Sequence, residues 1–332
     1  MEARPALKDI LRHRWSNVRV LDDRDLEALA DLNALVESME EAFRAYAAGS
    51  YTMPPRPHFG FGPNTLLVMP CEAAGYLGTK VVAVAPGNRR QGLPVVQAVM
   101  LLFRAGTAEP LAVLDGRSLT GLRTGAASAV AMRHLAPQGA RRIGIVGAGV
   151  QGRYHARFAA AVLPLEEVMV YDHRPENARR FAEEISPRLG DVRVRPAATP
   201  EELVRCCPVV VTATTSAEPV LPDEPALFAG RLVVAVGSFR PHMRELPEAL
   251  LRGAARVYVD TEQALEESGD LAVPLARGWF GRDRIEPLGR ALQSPVRAGP
   301  GSTVVYKSVG MALLDVFAAA HLYERAGGND RA

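Results

Sequence analysis

Cysteine is scarce in this sequence, with three residues, Cys71, Cys206 and Cys207, among 332. Cys206 and Cys207 are adjacent, which is a poor arrangement for an ordinary disulfide. The sequence has no CxxC pair and no Cys/His cluster with the spacing of zinc ligands. We therefore expect neither a disulfide framework nor a metal site, and free thiols fit a reducing compartment.

An excess of charge of one sign is also missing, since 39 basic and 37 acidic side chains leave a formal net charge of +2. Such a balance gives no reason to expect a nucleic-acid or anionic-membrane surface. No stretch approaches the roughly 18 uncharged apolar residues that a membrane span needs. Charged residues are scattered through residues 1–19, unlike a secretory signal peptide. We therefore expect a cytoplasmic protein with no nucleic-acid and no membrane partner.

What the sequence does contain is a change of pattern near its middle, in a chain long enough for two domains. Residues 19–135 combine a helical repeat with strand-like runs separated by Gly, Pro and Asn turns, which indicates a sheet of hairpins covered by a helix. From residue 141, apolar strands alternate with helices, the pattern of a doubly wound parallel sheet. Residues 303–325 have helical spacing, and we expect this segment to pack back onto the first region. The predicted fold is α/β, with a Rossmann domain over residues 137–302 and a discontinuous α+β domain over residues 1–136 and 303–332.

A glycine-rich turn follows the apolar run 143–146 and precedes a helical pattern. A strand-like run comes next and ends at Asp172, 20 residues after Gly152. This order is that of a dinucleotide site: the first glycine permits the tight turn, the second lets the pyrophosphate approach, and the third lets the helix pack on the strand. The turn predicted to bind the cofactor consists of Gly147, Ala148, Gly149, Val150, Gln151 and Gly152.

Asp172 and the two residues after it bear on the choice between NAD(H) and NADP(H). This carboxylate is placed to accept hydrogen bonds from both ribose hydroxyls and would repel a 2′-phosphate, which favours NAD(H). His173 and Arg174 follow at once, and an arginine here accommodates a 2′-phosphate, so NADP(H) stays open. Residues at the ends of later strands are expected to line the cofactor crevice, although ordinary loop residues are an equal alternative. These are Thr212, Ala213, Thr214, Val236, Gly237 and Ser238.

Several short segments occur in a fixed order along the chain. They are MPPRP at 53–57, GTK at 78–80, LDG at 114–116, LRTGAAS at 122–128, the glycine turn, AVGS at 235–238 and KSVGM at 307–311. In this combination the chain resembles the ornithine cyclodeaminase/mu-crystallin family over residues 19–323. The resemblance implies a homodimer in which the discontinuous domain binds substrate and dimerises. It also implies that Arg56, Lys80 and Arg123 hold the carboxylate of a small amino or imino acid.

The chemistry of these side chains agrees with that role and leaves alternatives open. Arg56 lies among prolines in a rigid segment suited to a bidentate carboxylate contact, or it is a surface arginine. Lys80 lies in an uncharged run, either as an edge residue or as a functional amine with a lowered pKa. Arg123 lies on a helix of small residues near the expected cleft, or it is solvated. His58 and His242 are candidate proton donors near the expected cleft, although a lone histidine more often has a structural role.

One stretch departs from the cyclodeaminase pattern. In that branch, and in related alanine dehydrogenases, an acidic residue follows the Val-Gly pair of a late strand, and here Phe239 takes its place. A phenyl ring cannot neutralise or deprotonate an ammonium group. The stretch resembles the ketimine reductases of the family, which act on an imine that is already formed. Lys307 and Ser308, which we assign to cofactor binding, resemble the same branch.

The sequence therefore predicts an NAD(P)H-dependent oxidoreductase that reduces Δ1-pyrroline-2-carboxylate or Δ1-piperideine-2-carboxylate to L-proline or L-pipecolate. In this scheme Arg56 and Arg123 bind the substrate carboxylate, and Lys80 hydrogen-bonds the substrate and donates a proton. Two alternatives stay open. One is an ornithine cyclodeaminase or amino-acid dehydrogenase of the same fold. The other is a binding protein that keeps the fold and the cofactor without catalysis.

Overall fold

The computed structural model describes residues 17–293, 299 and 301–328 of the chain. The prediction about a signal peptide rests on residues 1–19, and most of these lie outside the described part. None of the helices within the described ranges is both long and apolar enough to cross a membrane.

The chain folds into two compact units, and each is discontinuous in sequence. The first unit consists of the described residues up to Asp31, Ser50–Thr120 and the chain from Ala312 onward. The second unit consists of Leu32–Gly49 and Gly121–Met311. One unit carries a mixed sheet and the other a parallel sheet, which confirms the predicted fold class.

The first unit is built on a sheet of six strands. They are β1 (Arg19–Leu21), β2 (His58–Phe61), β3 (Asn64–Ala73), β4 (Tyr76–Val84), β5 (Val96–Arg104) and β6 (Pro110–Asp115). Their order across the sheet is β1-β6-β5-β4-β3-β2, and only β1 and β6 pair in parallel. The turn between β3 and β4 uses Ala74 and Gly75, both with positive φ, and such tight turns produce the hairpins that the sequence predicts.

Helices α1 (Asp23–Leu29) and α11 (Ala312–Arg325) belong to the first unit. The C-terminal helix α11 packs on β3, β4 and β5. Gly78 on β4 makes this approach close, because a Cβ atom there would lie 2.8 Å from Cγ2 of Val316. The C-terminal helix therefore returns to the hairpin sheet, as its helical spacing predicts.

The second unit is built on a sheet of eight strands, and every neighbouring pair is parallel. The strands are β7 (Arg142–Val146), β8 (Glu167–Tyr171), β9 (Arg193–Pro196), β10 (Val209–Thr212), β11 (Leu232–Ala235), β12 (Ala254–Val259), β13 (Ile285–Pro287) and β14 (Thr303–Lys307). Their order is β13-β12-β14-β11-β10-β7-β8-β9, so the direction of winding reverses between β7 and β10. In such sheets ligands bind outside the carboxyl ends of the strands at this reversal.

The helices of this unit precede β7 or lie between its strands. They are α2 (Leu32–Ala48), α3 (Gly116–Leu135, in this unit from Gly121), α4 (Val150–Val162), α5 (Pro175–Ile185), α6 (Pro200–Cys206), α7 (Glu248–Gly253), α8 (Ala264–Glu267), α9 (Gly269–Ala276) and α10 (Leu288–Gln293). The small residues of α3 serve close packing. A Cβ atom on Gly125 would lie 2.5 Å from Cδ2 of Phe158 on α4, and one on Gly121 would overlap the ring of Tyr154.

One segment differs from its predicted secondary structure. Residues 303–307 form β14 rather than the start of a terminal helix, because a buried run of Thr, Val and Tyr suits a strand paired on both sides, here by β11 and β12. The predicted domain boundary after residue 302 therefore falls just before a central strand. Residues 32–49 belong to the second unit because α2 packs on α4 and α10, where a Cβ atom on Gly289 would overlap the carbonyl oxygen of Phe43.

Candidate dinucleotide and substrate site

The glycine turn follows β7, on the border where the winding reverses. Gly147 has φ +110°, and a Cβ atom there would lie 2.6 Å from the carbonyl oxygen of Ala213. A Cβ atom on Gly152 would overlap the carbonyl oxygen of Gly147. Gly149, in contrast, has no atom within 4 Å of where its Cβ would be. Two glycines are therefore required by packing, and the third leaves open space for a ligand to reach the backbone.

Helix α4 begins at Val150, directly after the open position at Gly149. The N-cap residue of α4 is Gly149, which has no side chain to hydrogen-bond the first N–H groups of the helix. Val150, the first helical residue, is 58% exposed, and Gln151 is half-buried. Backbone N–H groups at a helix N-terminus bind phosphate groups well, because the helix dipole adds partial positive charge.

Asp172 is fixed beside the glycine turn. Its Oδ2 accepts a hydrogen bond from the N–H of Ala148 at 3.0 Å, and its Oδ1 accepts one from the N–H of Arg174 at 3.0 Å. Burial alone would raise the pKa of this carboxyl group, but these donors outweigh burial and hold the pKa below its usual value. His173 and Arg174 are exposed, and His173 Nδ1 lies 3.2 Å from Oδ1. Asp172, the side chain predicted to bind the ribose, is therefore a carboxylate held in a fixed orientation.

The loops after β10 and β11 continue the sheet for one more residue. The N–H of Ala213 donates to the carbonyl of Val146, and the N–H of Val236 donates to the carbonyl of Thr212, each at 2.9 Å. Both loops then converge on a residue that the sequence reading missed, Glu245, which has no exposed surface.

Glu245 joins the two loops through both carboxylate oxygens. Oε1 accepts hydrogen bonds from the N–H of Thr214 at 2.7 Å and from its Oγ1 at 2.8 Å. Oε2 accepts hydrogen bonds from the N–H of Gly237 at 2.7 Å and from Oγ1 of Thr212 at 3.0 Å. The two threonine hydroxyls predicted to line the crevice are thus engaged with Glu245, and one buried carboxylate sets the shape of both loops.

A second buried carboxylate, Asp270, holds Glu245 in turn. Its Oδ1 accepts hydrogen bonds from the N–H groups of Glu245 and Leu246 at 2.7 and 2.9 Å, and its Oδ2 lies 3.4 Å from Nζ of Lys307. Burial raises the pKa of Glu245, the Lys307 ammonium opposes that rise, and the Asp270 carboxylate adds to it. Lys307 is fully buried and donates to the carbonyl of Ala235 at 3.2 Å. Its amine is therefore directed to protein groups, not to an open cofactor surface.

The loop that follows Gly237 begins with a buried serine and an exposed phenylalanine. Ser238 is buried and donates to the carbonyl of Met243 at 2.6 Å, so its hydroxyl also serves the loop. Phe239 is 44% exposed, and its ring centroid lies 5.9 Å from the guanidinium carbon of Arg240. His242 is exposed. The position that carries an acid in the cyclodeaminase pattern thus presents an aromatic face.

Lys80 lies on β4, which is paired on both sides, so the edge-residue alternative is wrong. Its ammonium lies 2.7 Å from Oδ1 of Asp315 on α11 and 3.2 Å from Oγ1 of Thr120. The side chains of Lys80 and Asp315 are 3% and 1% exposed. Asp315 was not foreseen from the sequence. It gives Lys80 the opposite charge that a buried ammonium needs.

The two predicted carboxylate-binding arginines have different surroundings. Arg56 lies half-buried in the segment before β2, and His58, the first residue of β2, is exposed. Arg123 is 5% exposed on α3, and its guanidinium lies against Gly310. Arg56 and Lys80 belong to the first unit and Arg123 to the second.

A parallel sheet whose winding reverses at a glycine turn, with an oriented carboxylate after the second strand, defines a Rossmann-type dinucleotide-binding protein. The family model of the ornithine cyclodeaminase/mu-crystallin family matches residues 17–330. The chain belongs to this family, which confirms the resemblance that the sequence motifs predict.

Three similar proteins extend this result. A Δ1-pyrroline-2-carboxylate reductase of Bacillus cereus is 36% identical over 318 residues, covering 92% of this chain and 96% of the relative. The structure of the Thermococcus litoralis Δ1-pyrroline-2-carboxylate reductase in complex with NADH and L-proline is similar with a TM-score of 0.87 at 32% identity, covering 93% and 97% of the two chains. An archaeal alanine dehydrogenase dimer with bound NAD gives a TM-score of 0.86 at 31% identity, covering 93% and 96%.

Proposed function

We propose that this protein is a reductase of small cyclic 2-imino acids, which converts Δ1-pyrroline-2-carboxylate or Δ1-piperideine-2-carboxylate to L-proline or L-pipecolate with NAD(P)H. The chain is an NAD(P)-dependent oxidoreductase of C–N bonds, and the proposal concerns its substrate. The observation that carries it is Phe239 at the end of a dinucleotide-type sheet, where a deaminating enzyme needs an acid. The reductases of Bacillus cereus and Thermococcus litoralis support the same substrate class.

The protein's own residues would bind the substrate and hold a proton. Arg56 and Arg123 would bind the substrate carboxylate, because a guanidinium matches its planar geometry with two hydrogen bonds. The Lys80 ammonium would donate a proton to the imine nitrogen, and Asp315 and Thr120 orient it for this step. A bound nicotinamide supplies the hydride that reduces the imine carbon. The C=N bond then becomes C–N with one hydrogen added at each end.

NAD(H) is the favoured cofactor of this proposal. The anionic Asp172 suits the two ribose hydroxyls and would repel a 2′-phosphate. The solved relatives named above contain NADH and NAD. NADP(H) is the alternative, because His173 and Arg174 are exposed beside Asp172 and could neutralise a phosphate.

A homodimer and a cytoplasmic location belong to the same proposal. The archaeal alanine dehydrogenase is a dimer, and the edge strand β2 of this chain leaves Phe59 and Phe61 46% and 62% exposed. Exposed apolar side chains on a sheet edge are typical of a surface that another chain covers. The three cysteines are free thiols, which suits a reducing compartment.

The test is the near-ultraviolet absorbance of NADH and NADPH with purified protein and each imine, with L-ornithine or L-alanine plus NAD in parallel. We expect the imines to oxidise the reduced cofactor while ornithine and alanine stay inert. Turnover of ornithine or alanine with inert imines would replace the proposal with a deaminase or dehydrogenase. Binding of the cofactor without any turnover would favour a ligand-binding protein.

A further inference from the structure

Asp260 follows β12 and is a fully buried carboxylate that the proposed reaction does not use. Its Oδ2 accepts three hydrogen bonds, all from the loop after β14. The donors are Oγ of Ser308 at 2.6 Å, the N–H of Gly310 at 2.7 Å and the N–H of Val309 at 3.1 Å. Its Oδ1 accepts the N–H of Thr261 at 2.9 Å, which fixes the carboxylate plane. One oxygen atom thus holds three consecutive residues of the loop.

That loop forms the surface against which the Arg123 guanidinium lies. A Cβ atom on Gly310 would lie 2.7 Å from Nη2 and 2.8 Å from Nη1 of Arg123. Gly310 also has φ +80°, a conformation that side chains other than glycine rarely adopt. The position of the Gly310 backbone therefore sets where the guanidinium can sit, and Asp260 sets the position of Gly310.

We propose that Asp260 is a positioning residue for Arg123, acting through the loop Ser308–Gly310, and that it thereby tunes the affinity for the carboxylate of the imino-acid substrate. This inference rests on the proposed function, in which Arg123 binds that carboxylate. It also gives Ser308 a different role from the predicted cofactor contact, because its hydroxyl donates to Asp260. A bidentate guanidinium contact depends strongly on angle, so a small movement of the loop changes substrate binding.

The first variant is Asp260→Asn, which cannot present four acceptor contacts because one oxygen becomes an NH₂ donor. We expect the KM for Δ1-pyrroline-2-carboxylate to rise about tenfold or more, as for the loss of hydrogen bonds to a charged group. The Kd for NADH should change by less than about twofold, because the hydrogen bonds of Asp260 go to Thr261 and to the loop Ser308–Gly310. A purely structural role would instead weaken NADH binding and lower Tm together, with no selective rise in KM, and that result overturns the inference.

Ser308→Ala is the milder variant and keeps the test decisive if Asp260→Asn does not fold. It removes one of the three hydrogen bonds and should raise the same KM about threefold, since a single neutral hydrogen bond contributes less. An unchanged KM in this variant overturns the inference. Asp223→Asn is the matched control, because this aspartate of the same unit is exposed and accepts a hydrogen bond from the N–H of Ala249 on α7.

Arg123→Ala separates this inference from the proposed function. If Arg123→Ala raises the KM for the imine and Asp260→Asn does not, the inference fails and the proposed function stands. If Arg123→Ala leaves the KM unchanged, the carboxylate assignment itself is wrong. If both variants raise KM and their effects do not add in the double variant, the two residues act on the same contact, as the inference requires.

Discussion

Two regions at the carboxyl edge of the parallel sheet are built by opposite means. The glycine turn after β7 is shaped by its own backbone, with Gly147 and Gly152 needed for packing and Gly149 left open. The loops after β10, β11 and β14 are shaped by carboxylates from other parts of the chain, chiefly Glu245 and Asp260. In the first region Gly147 and Gly152 leave no room for a side chain, and in the second region buried negative charges hold the backbone.

The difference follows from what each region must do. A pyrophosphate is bound by backbone N–H groups, so its turn needs space and free donors. In the proposed function a small imino acid binds next to a nicotinamide, which needs loops fixed to a fraction of an ångström, and buried charge-assisted hydrogen bonds provide this rigidity. The pair formed by Lys80 and Asp315 in the first unit is likewise a buried, charge-assisted hydrogen bond.

The largest effect is expected at that pair. Lys80→Met leaves the Asp315 carboxylate buried without the ammonium, and the free energy of unfolding should fall by about 3–5 kcal/mol. Adding Asp315→Leu should restore most of the stability but not imine reduction, because no ammonium then remains to donate a proton. Urea unfolding and initial rates measure both effects. A Lys80→Met variant as stable as the parent would contradict this account.

The next effect tests the claim that the glycines have separate roles. Gly152→Ala places Cβ on the carbonyl oxygen of Gly147, and overpacking of this kind should lower the free energy of unfolding by about 1–3 kcal/mol. Gly149→Ala meets open space and should keep Tm while weakening NADH binding, measured by fluorescence titration. Gly253→Ala is the control, since a Cβ atom there also meets open space. Equal loss of Tm in Gly152→Ala and Gly149→Ala would remove the distinction.

A smaller effect is expected where a carboxylate holds the loops. Glu245→Gln replaces one acceptor oxygen by an NH₂ donor, so at least one of the four hydrogen bonds is lost. The Kd for NADH should rise about tenfold, as for one hydrogen bond to a charged group. Glu248→Gln serves as the control, because this glutamate is partly exposed and pairs with Arg252 on the same helix, α7. An unchanged Kd would mean that the two loops hold their shape without Glu245.

The smallest effect is a pH dependence of the free energy of unfolding, caused by His155 on α4, the helix that follows the glycine turn. His155 is fully buried, with Nδ1 2.7 Å from the carbonyl oxygen of Gln151 and Nε2 2.8 Å from Oγ of Ser128. Burial lowers the pKa of His155 from 6.5 to about 4, and the hydrogen bond to Gln151 opposes this only in part.

Because the folded pKa is lowered, the unfolded chain binds the proton more readily. The stabilisation is therefore complete above pH 6.5 and is lost as the pH falls toward about 4. Between pH 7 and pH 6 the loss should be less than about 1 kcal/mol in urea unfolding. His155→Gln should remove this part of the slope, and an identical slope in the variant would assign the titration to other groups.

The same comparison explains what the sequence can predict. The glycine turn and the succession of strands and helices along the chain are encoded by neighbouring residues, so the run from Gly147 to Asp172 and the alternation of apolar strands with helices predict them. Residues 303–307 are mistaken for helix because the helical spacing of the following segment extends the pattern backward. Only the pairing with β11 and β12 makes this run a central strand.

The carboxylates are different, because their partners are distant in sequence. Asp315 lies 235 residues from Lys80, Glu245 lies 33 residues from Thr212, and Asp260 lies 50 residues from Gly310. No local pattern marks these acids as buried, and on composition alone each is a solvated side chain. The sequence therefore predicts locally encoded turns and strands better than the buried acids that orient the loops.

The most direct test of the proposed reaction uses NADH that carries deuterium at both positions of C4 of the nicotinamide, with Δ1-pyrroline-2-carboxylate as substrate. The account predicts L-proline with one deuterium on Cα, because hydride passes directly from the cofactor to the imine carbon. Proline without deuterium, or deuterium-labelled cofactor that is not consumed while ornithine is deaminated, would contradict it.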